Sequence, residues 1–257
     1  MKSLVKKLAR IKFAKFIRNS LNIKPIYIDM DDVKENISVS DAFVWRTDNG
    51  FKTIFKFLDI LNLFYKVKKS SVELVFFNNE NKKIKEINLG NLDLTNELIV
   101  DKKFLNNTEG YGIFYIFHRI KNHTFENKTI ISSRDYVGFS YKNNLSSFVH
   151  GNILAISKNL DSDKINSNFI KTSYLSNQKY RLQNNFKDFD KTELLFSSPT
   201  SKRINFSIKG KKYFLSKNSC ILLSFENLDT IEIKSNCYFL RPLVFNYKGN
   251  FIDVYHG

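Results

Sequence analysis

Arg203-Ile-Asn-Phe-Ser-Ile208, Lys212-Tyr-Phe-Leu215, Cys220-Ile-Leu-Leu-Ser-Phe225 and Thr230-Ile-Glu-Ile233 decide the fold class. Each run is short, rich in β-branched and aromatic residues, and bounded by turn-forming residues, and the runs recur about every ten residues. Glu193-Leu-Leu-Phe196 precedes them, and Leu243-Val-Phe-Asn-Tyr247 and Phe251-Ile-Asp-Val-Tyr255 follow. Almost no helix fits between them, so the crossovers that an α/β enzyme needs are missing. The first half has the same texture. Ser71-Val-Glu-Leu-Val-Phe-Phe77, the polar turn Asn78-Asn-Glu-Asn81 and Lys83-Ile-Lys-Glu-Ile-Asn-Leu89 read as a hairpin. Thr53–Tyr65 is a long apolar run, Tyr111–His118 a buried strand, and Thr129–Ile131 and Tyr136–Tyr141 two more. The pattern predicts an all-β chain: two tandem antiparallel β-sandwich domains, residues 40–155 and 175–257. The polar stretch Ser157–Asn168 reads as the linker between them.

Composition bounds the function classes. The chain has 257 residues, 42% of them hydrophobic, which is enough for a core and far from disordered composition. No run of about 18 apolar residues is present, so no conventional membrane-spanning helix is expected. Two cysteines exclude a disulfide scaffold and a four-cysteine zinc site, and their apolar neighbours point to buried free thiols at Cys220 and Cys237.

The net charge is +16, and half of it lies in residues 1–24, which carry eight Lys and Arg and no acid. That segment, free of Gly and Pro, predicts a basic N-terminal helix. Charges interrupt it too often for a secretory signal, whose apolar core runs about seven residues or more. A basic helix fits peripheral contact with an anionic membrane, and the expected location is cytoplasmic, at the inner membrane surface. Phe13, Phe16 and Ile17 fall on one stripe, and Leu4, Leu8 and Ile11 on another. Beyond residue 24 the sequence shows no run of basic residues interleaved with aromatics, so nucleic acid is not an expected partner.

The most specific feature is an internal repeat. Phe139-x-Tyr-Lys-x-Asn144 leads to Phe148-x-His-Gly151, and Phe245-x-Tyr-Lys-x-Asn250 leads to Val254-x-His-Gly257. The two stretches share six identities in thirteen ungapped positions, with Arg134 and Arg241 shortly before them. Together with Phe43-Val-Trp-Arg-Thr-Asp48, Gly50 and Tyr180-Arg-Leu-Gln183, these motifs make residues 40–257 resemble an uncharacterised bacterial family of two-domain β proteins. The layout is also similar to the sandwich of sensory rhodopsin transducer-like proteins. The resemblance implies a fold and assigns no chemistry.

His150, His256, Arg134 and Arg241 are the candidate catalytic residues. A histidine from each half could share a proton-transfer site, with Asp135 or Asp253 beside it. The structural reading is that each His-Gly ends a strand, with glycine supplying a positive-φ corner. His118 reads as a strand-end residue and His123 as an exposed loop residue. Metal-ligand spacings are missing, and neither a metal nor a cofactor is expected. Ile26–Val33 resembles the first motif of haloacid-dehalogenase-type phosphatases, with Asp29 as nucleophile and Asp31 as acid/base, but the alternating helices of that family are not there. The function expected is therefore a non-catalytic binding or assembly module in carbohydrate or surface-polysaccharide handling, its partner a glycan or a protein. Abundant Phe and Tyr supply faces that can stack on sugars. An enzyme using His150 or His256 as acid or base between the domains is the alternative.

Overall fold

The computed structural model describes residues 11–20, 35–120, 129–132, 135–160, 162, 164–166, 177–182, 188–198, 200–226, 230–237 and 240–257. Ile26–Val33, His123 and Arg134 lie outside them. The chain is all-β: among the described residues the strands form four sheets, paired antiparallel except for β7, with two short α-helices.

The largest sheet holds β1 (Ile37–Arg46), β3 (Ser71–Asn78), β4 (Lys83–Gly90), β6 (Tyr111–Arg119), β10 (Asn152–Asn159) and β11 (Ile165–Asn166), in the order β11-β10-β1-β6-β3-β4. β7 (Ile130–Ser132) joins it by a parallel pairing with β1. Facing it is the sheet β5-β2-β8-β9, made of β2 (Phe51–Leu58), β5 (Thr95–Val100), β8 (Tyr136–Tyr141) and β9 (Ser147–His150). β2 alternates buried and outward residues, so Phe51, Thr53, Phe55 and Phe57 all point inward. Phe55 meets Phe43 and Phe114 with ring centroids 4.9 Å away in each case, and Phe76 stacks on Phe114 at the same distance. These edge and offset contacts are favoured by the ring quadrupole.

The second pair of sheets comes from the rest of the chain. β13 (Lys191–Ser197), β16 (Cys220–Phe225), β18 (Leu243–Lys248) and β19 (Phe251–His256) form β16-β13-β18-β19. β12 (Gln178–Leu182), β14 (Ile204–Ile208), β15 (Lys211–Leu215) and β17 (Ile231–Ser235) form β12-β17-β14-β15. Leu194, Phe196 and Val244 pack against Phe206, Ile208 and Ile233 between these sheets. Leu195, Phe245, Tyr247 and Val254, on the other face of β13, β18 and β19, belong to the large cluster of the first pair. A sheet covered on both faces needs strands that are apolar in succession, and Leu194-Leu195-Phe196 and Leu243-Val244-Phe245 are such runs.

Two sequence expectations are corrected. The run Thr53–Tyr65 is a strand followed by a helix, because Asp59 ends β2 and caps the helix Ile60–Tyr65, accepting a hydrogen bond from Asn62 N at 3.1 Å. Ser157–Asn159, read as linker, are buried in β10, and Ile165–Asn166 return as β11. Lys158 reaches Glu73 at 2.7 Å, and the same carboxylate holds Arg119, so the polar face of this strand is satisfied across the sheet.

Candidate functional site

The β8–β9 and β18–β19 hairpins lie side by side, and the matching residues of the two motifs touch each other. Phe139 meets Phe245 at 4.9 Å and Tyr141 meets Tyr247 at 5.4 Å, both edge-on. The imidazoles of His150 and His256 stack at 4.6 Å. Ser147 Oγ accepts from Val254 N at 3.0 Å and Asn144 Nδ2 donates to Asn250 O at 3.1 Å, stitching β9 to β19.

The turns explain the Lys-x-Asn residues. Lys142 and Asn143 both hold positive φ, which a twisted hairpin needs, and Gly249 does so in the second. The His-Gly glycines serve differently, which corrects the expected positive-φ corner. Neither has positive φ. A Cβ on Gly151 would sit 2.4 Å from Asp41 Cβ and 2.7 Å from the Phe43 ring, and one on Gly257 would sit 2.5 Å from Leu182. Close approach is what requires glycine there.

His150, His256 and Arg241 line one narrow cleft with Val44, Val137 and Ser197. The hydrogen bonds fix the tautomers, because a carbonyl can only accept. His256 Nε2 donates to His150 O at 2.8 Å, and His150 Nδ1 donates to Gly151 O at 2.9 Å. Burial lowers the His256 pKa to about 4, assisted by the positive fields of His150 and Arg241 and opposed by its bond to the His150 carbonyl. It is therefore neutral at pH 7. Arg241 spends Nε on Gly257 O at 3.0 Å, and its own carbonyl accepts from Asn152. Asp253 pairs with Asn246 on the far face of β19, and Asp135 is buried outside the cleft lining. Of the candidates, His150, His256 and Arg241 come together in this cleft, each with one ring or guanidinium N–H given to a main-chain carbonyl, whereas Asp135 and Asp253 stand apart from it.

Charged residues to which the sequence reading gave no role lie deeper. Arg46 is fully buried and bridges the two pairs of sheets. Its guanidinium reaches Glu193 at 2.8 Å, Asp48 at 2.7 Å and the Tyr247 hydroxyl at 3.2 Å, and it lies over the rings of Phe51 and Phe245. Burial pulls its pKa down, yet Asp48, Tyr247 and Glu193 together hold it above its ordinary value. Arg46 and Asp48 stand in the motif Phe43–Asp48, where the letters carry no sign of the distant partner Glu193. His118, in β6, is fully buried, and among the described residues neither ring nitrogen has a hydrogen-bond partner. Desolvation drops its pKa to about 4, slightly offset by Asp59. Cys220 and Cys237 are both buried and lie in different clusters; burial raises both thiols, Cys237 to about 12.

The outer face of β5-β2-β8-β9 is open. Directly paired residues share a face, so Ile99, Ile54, Gly138 and Phe148 form one row, and Glu97, Lys56, Tyr136 and His150 the next. Phe148 lies flat on Gly138, where a Cβ would come within 2.4 Å of its ring. Its exposure is 40% and that of Tyr136 is 53%. Lys56 sits 5.0 Å from the Phe148 centroid and 3.2 Å from Glu97. Among the described residues, no helix is long and apolar enough to cross a membrane, and no three metal-ligating side chains come together. No protein-family model matches the chain, and no curated protein matches its sequence.

Proposed function

We propose that the protein is a non-catalytic binding module that takes a glycan on the outer face of β5-β2-β8-β9, in the handling of surface polysaccharide. The observation that carries this is the pair of exposed rings, Tyr136 and Phe148, on one flat sheet face. Tyr136, the more exposed of the two rings, can offer its face to the C–H face of a sugar. Lys56, which also lies over the Phe148 ring, Glu97 and Lys52 are groups on the same sheet face that can bond hydroxyls. A glycan array with the intact chain tests it. Specific signals that Tyr136→Ala removes are expected; an array without signal, or signals untouched by Tyr136→Ala, would overturn the reading.

Peripheral membrane contact belongs to the same proposal. Helix α1 (Lys12–Ser20) turns Phe13 and Ile17 outward, 69% and 40% exposed, on a segment whose only charges are basic. The enzymatic alternative draws support from the cleft that holds both histidines and Arg241. The tautomers leave Nε2 of the exposed His150 with no bond to a carbonyl, as an acceptor that could take a proton.

A further inference from the structure

The structure assigns a second binding surface, for a linear anionic polysaccharide, to the open face of β12-β17-β14-β15. The four strands contain five Lys or Arg (Lys179, Arg181, Lys211, Lys212 and Lys234) and one acid, Glu232. Register puts four of those cations on one face. Lys179 is paired with Lys234, Lys234 with Ser207, and Ser207 with Lys212, so three lysines and a serine form a single row across all four strands. With strands about 4.8 Å apart, the row is about 14 Å long. Arg181 lies beside it opposite Glu232, and Arg203 lies over the exposed Phe214 ring at 4.1 Å.

Like charges directly opposite each other destabilise a sheet, so the Lys179–Lys234 pairing is not there for the fold. Glu232 relieves it only in part. Its single carboxylate is shared by Lys179 at 2.8 Å, Arg181 at 3.5 Å and Lys234 at 3.9 Å. All three cations keep more than half of their side-chain surface in solvent, which leaves the row available to an external anion.

The shape selects among polyanions. A row of point charges running across the four strands fits a linear chain that repeats its charge, laid across the strands. Asn205 and Ser207 lie between the cations and can bond hydroxyls. A single-strand nucleic-acid surface stacks bases on a series of rings, and the one exposed ring on these strands is already covered by Arg203. The choice of a glycan rests on the function proposed above; the existence of an anion-binding face does not.

The test is titration of the intact chain with polygalacturonate, a single-stranded oligonucleotide of matched charge and anionic vesicles. Lys179→Gln/Lys212→Gln/Lys234→Gln should weaken polygalacturonate binding about tenfold, while Lys83→Gln/Lys102→Gln/Lys248→Gln, with the same loss of charge, should not. Raising salt from about 50 to 200 mM should cost roughly twentyfold if three cations release counterions. Tyr136→Ala should leave this binding intact, which separates its failure from failure of the aromatic face. Equal loss in both triple variants, or no binding to any polyanion, overturns the surface. Tighter binding of the oligonucleotide or the vesicles, lost in the first triple variant, overturns the polysaccharide.

Discussion

The guanidinium of Arg46 and the carboxylate of Glu193, 147 residues apart in sequence, meet at 2.8 Å with Arg46 wholly out of solvent. One belongs to the first pair of sheets and the other to the second, so this pair joins the two. Removing one member of a buried pair strands the other charge, at a cost of about 3–5 kcal/mol. Glu193→Gln should therefore lower the urea midpoint steeply. Arg46→Met/Glu193→Leu should be less damaging than the sum of the two single changes, because neither member of this pair is left facing a lost partner; the charges that remain, Asp48 and Lys191, reach solvent. A strictly additive cycle would refute the coupling.

The glycines separate two kinds of constraint. Gly151→Ala pushes a methyl group into Asp41 and Phe43 and should cost about 1–3 kcal/mol, as overpacking does. Gly249→Ala meets nothing within 4 Å and pays only for its positive φ, about 1 kcal/mol. Gly138→Ala should displace Phe148 and so weaken glycan signals along with stability. Thermal unfolding of the three variants gives the ranking.

The strand rhythm of residues 193–255 was readable because each strand alternates or is wholly apolar, and both patterns survive without knowledge of partners. The end of β10 was not readable. Ser157, Lys158 and Asn159 look like linker; their backbone pairing with Ile37–Val39 of β1 makes them strand, and Glu73, 85 residues away, is what lets Lys158 be buried there. Thr53–Tyr65 failed for a different reason, since an apolar run carries no period and Asp59 settles where strand becomes helix. The motif histidines were legible as a pair; their bonds to main-chain carbonyls were not, because carbonyls have no letter in the sequence. The basic face on β12-β17-β14-β15 was invisible for the same topological reason as Arg46–Glu193. Its lysines come from three separate strands, and register alone lines them up.

Two histidines should set the acid limit of the fold. His118 and His256 both have folded pKa values near 4 against 6.5 in an unfolded chain. Between those values the unfolded state binds more protons, so stability is complete above about pH 6.5 and is lost as pH falls toward 4. The buried His118, with Asp59 the only opposing field, should account for about 3 kcal/mol of that loss. His256, near His150 and Arg241, should contribute less because it is partly solvated. Urea midpoints measured from pH 7.5 to 4 should fall less steeply for His118→Leu than for the parent chain. Parallel curves would show that another group governs acid unfolding.

The N-terminal helix should govern placement and leave stability alone. Ile11, Phe13, Phe16 and Ile17 all stand in solvent, so the helix adds little apolar burial to the sheets. Residues 1–24 carry eight of the chain's basic side chains and no acid, each contributing about 1 kcal/mol near an anionic bilayer. Deleting residues 1–24 should abolish sedimentation with phosphatidylserine vesicles and move the unfolding midpoint little. Phe13→Ser/Ile17→Ser should weaken sedimentation with every charge still present, which distinguishes insertion from simple attraction. Raised salt should weaken it too, because the screening length shrinks to about 8 Å at physiological ionic strength. A deletion that lowers the midpoint by several degrees, with sedimentation unchanged, would make the helix a packing element of the fold.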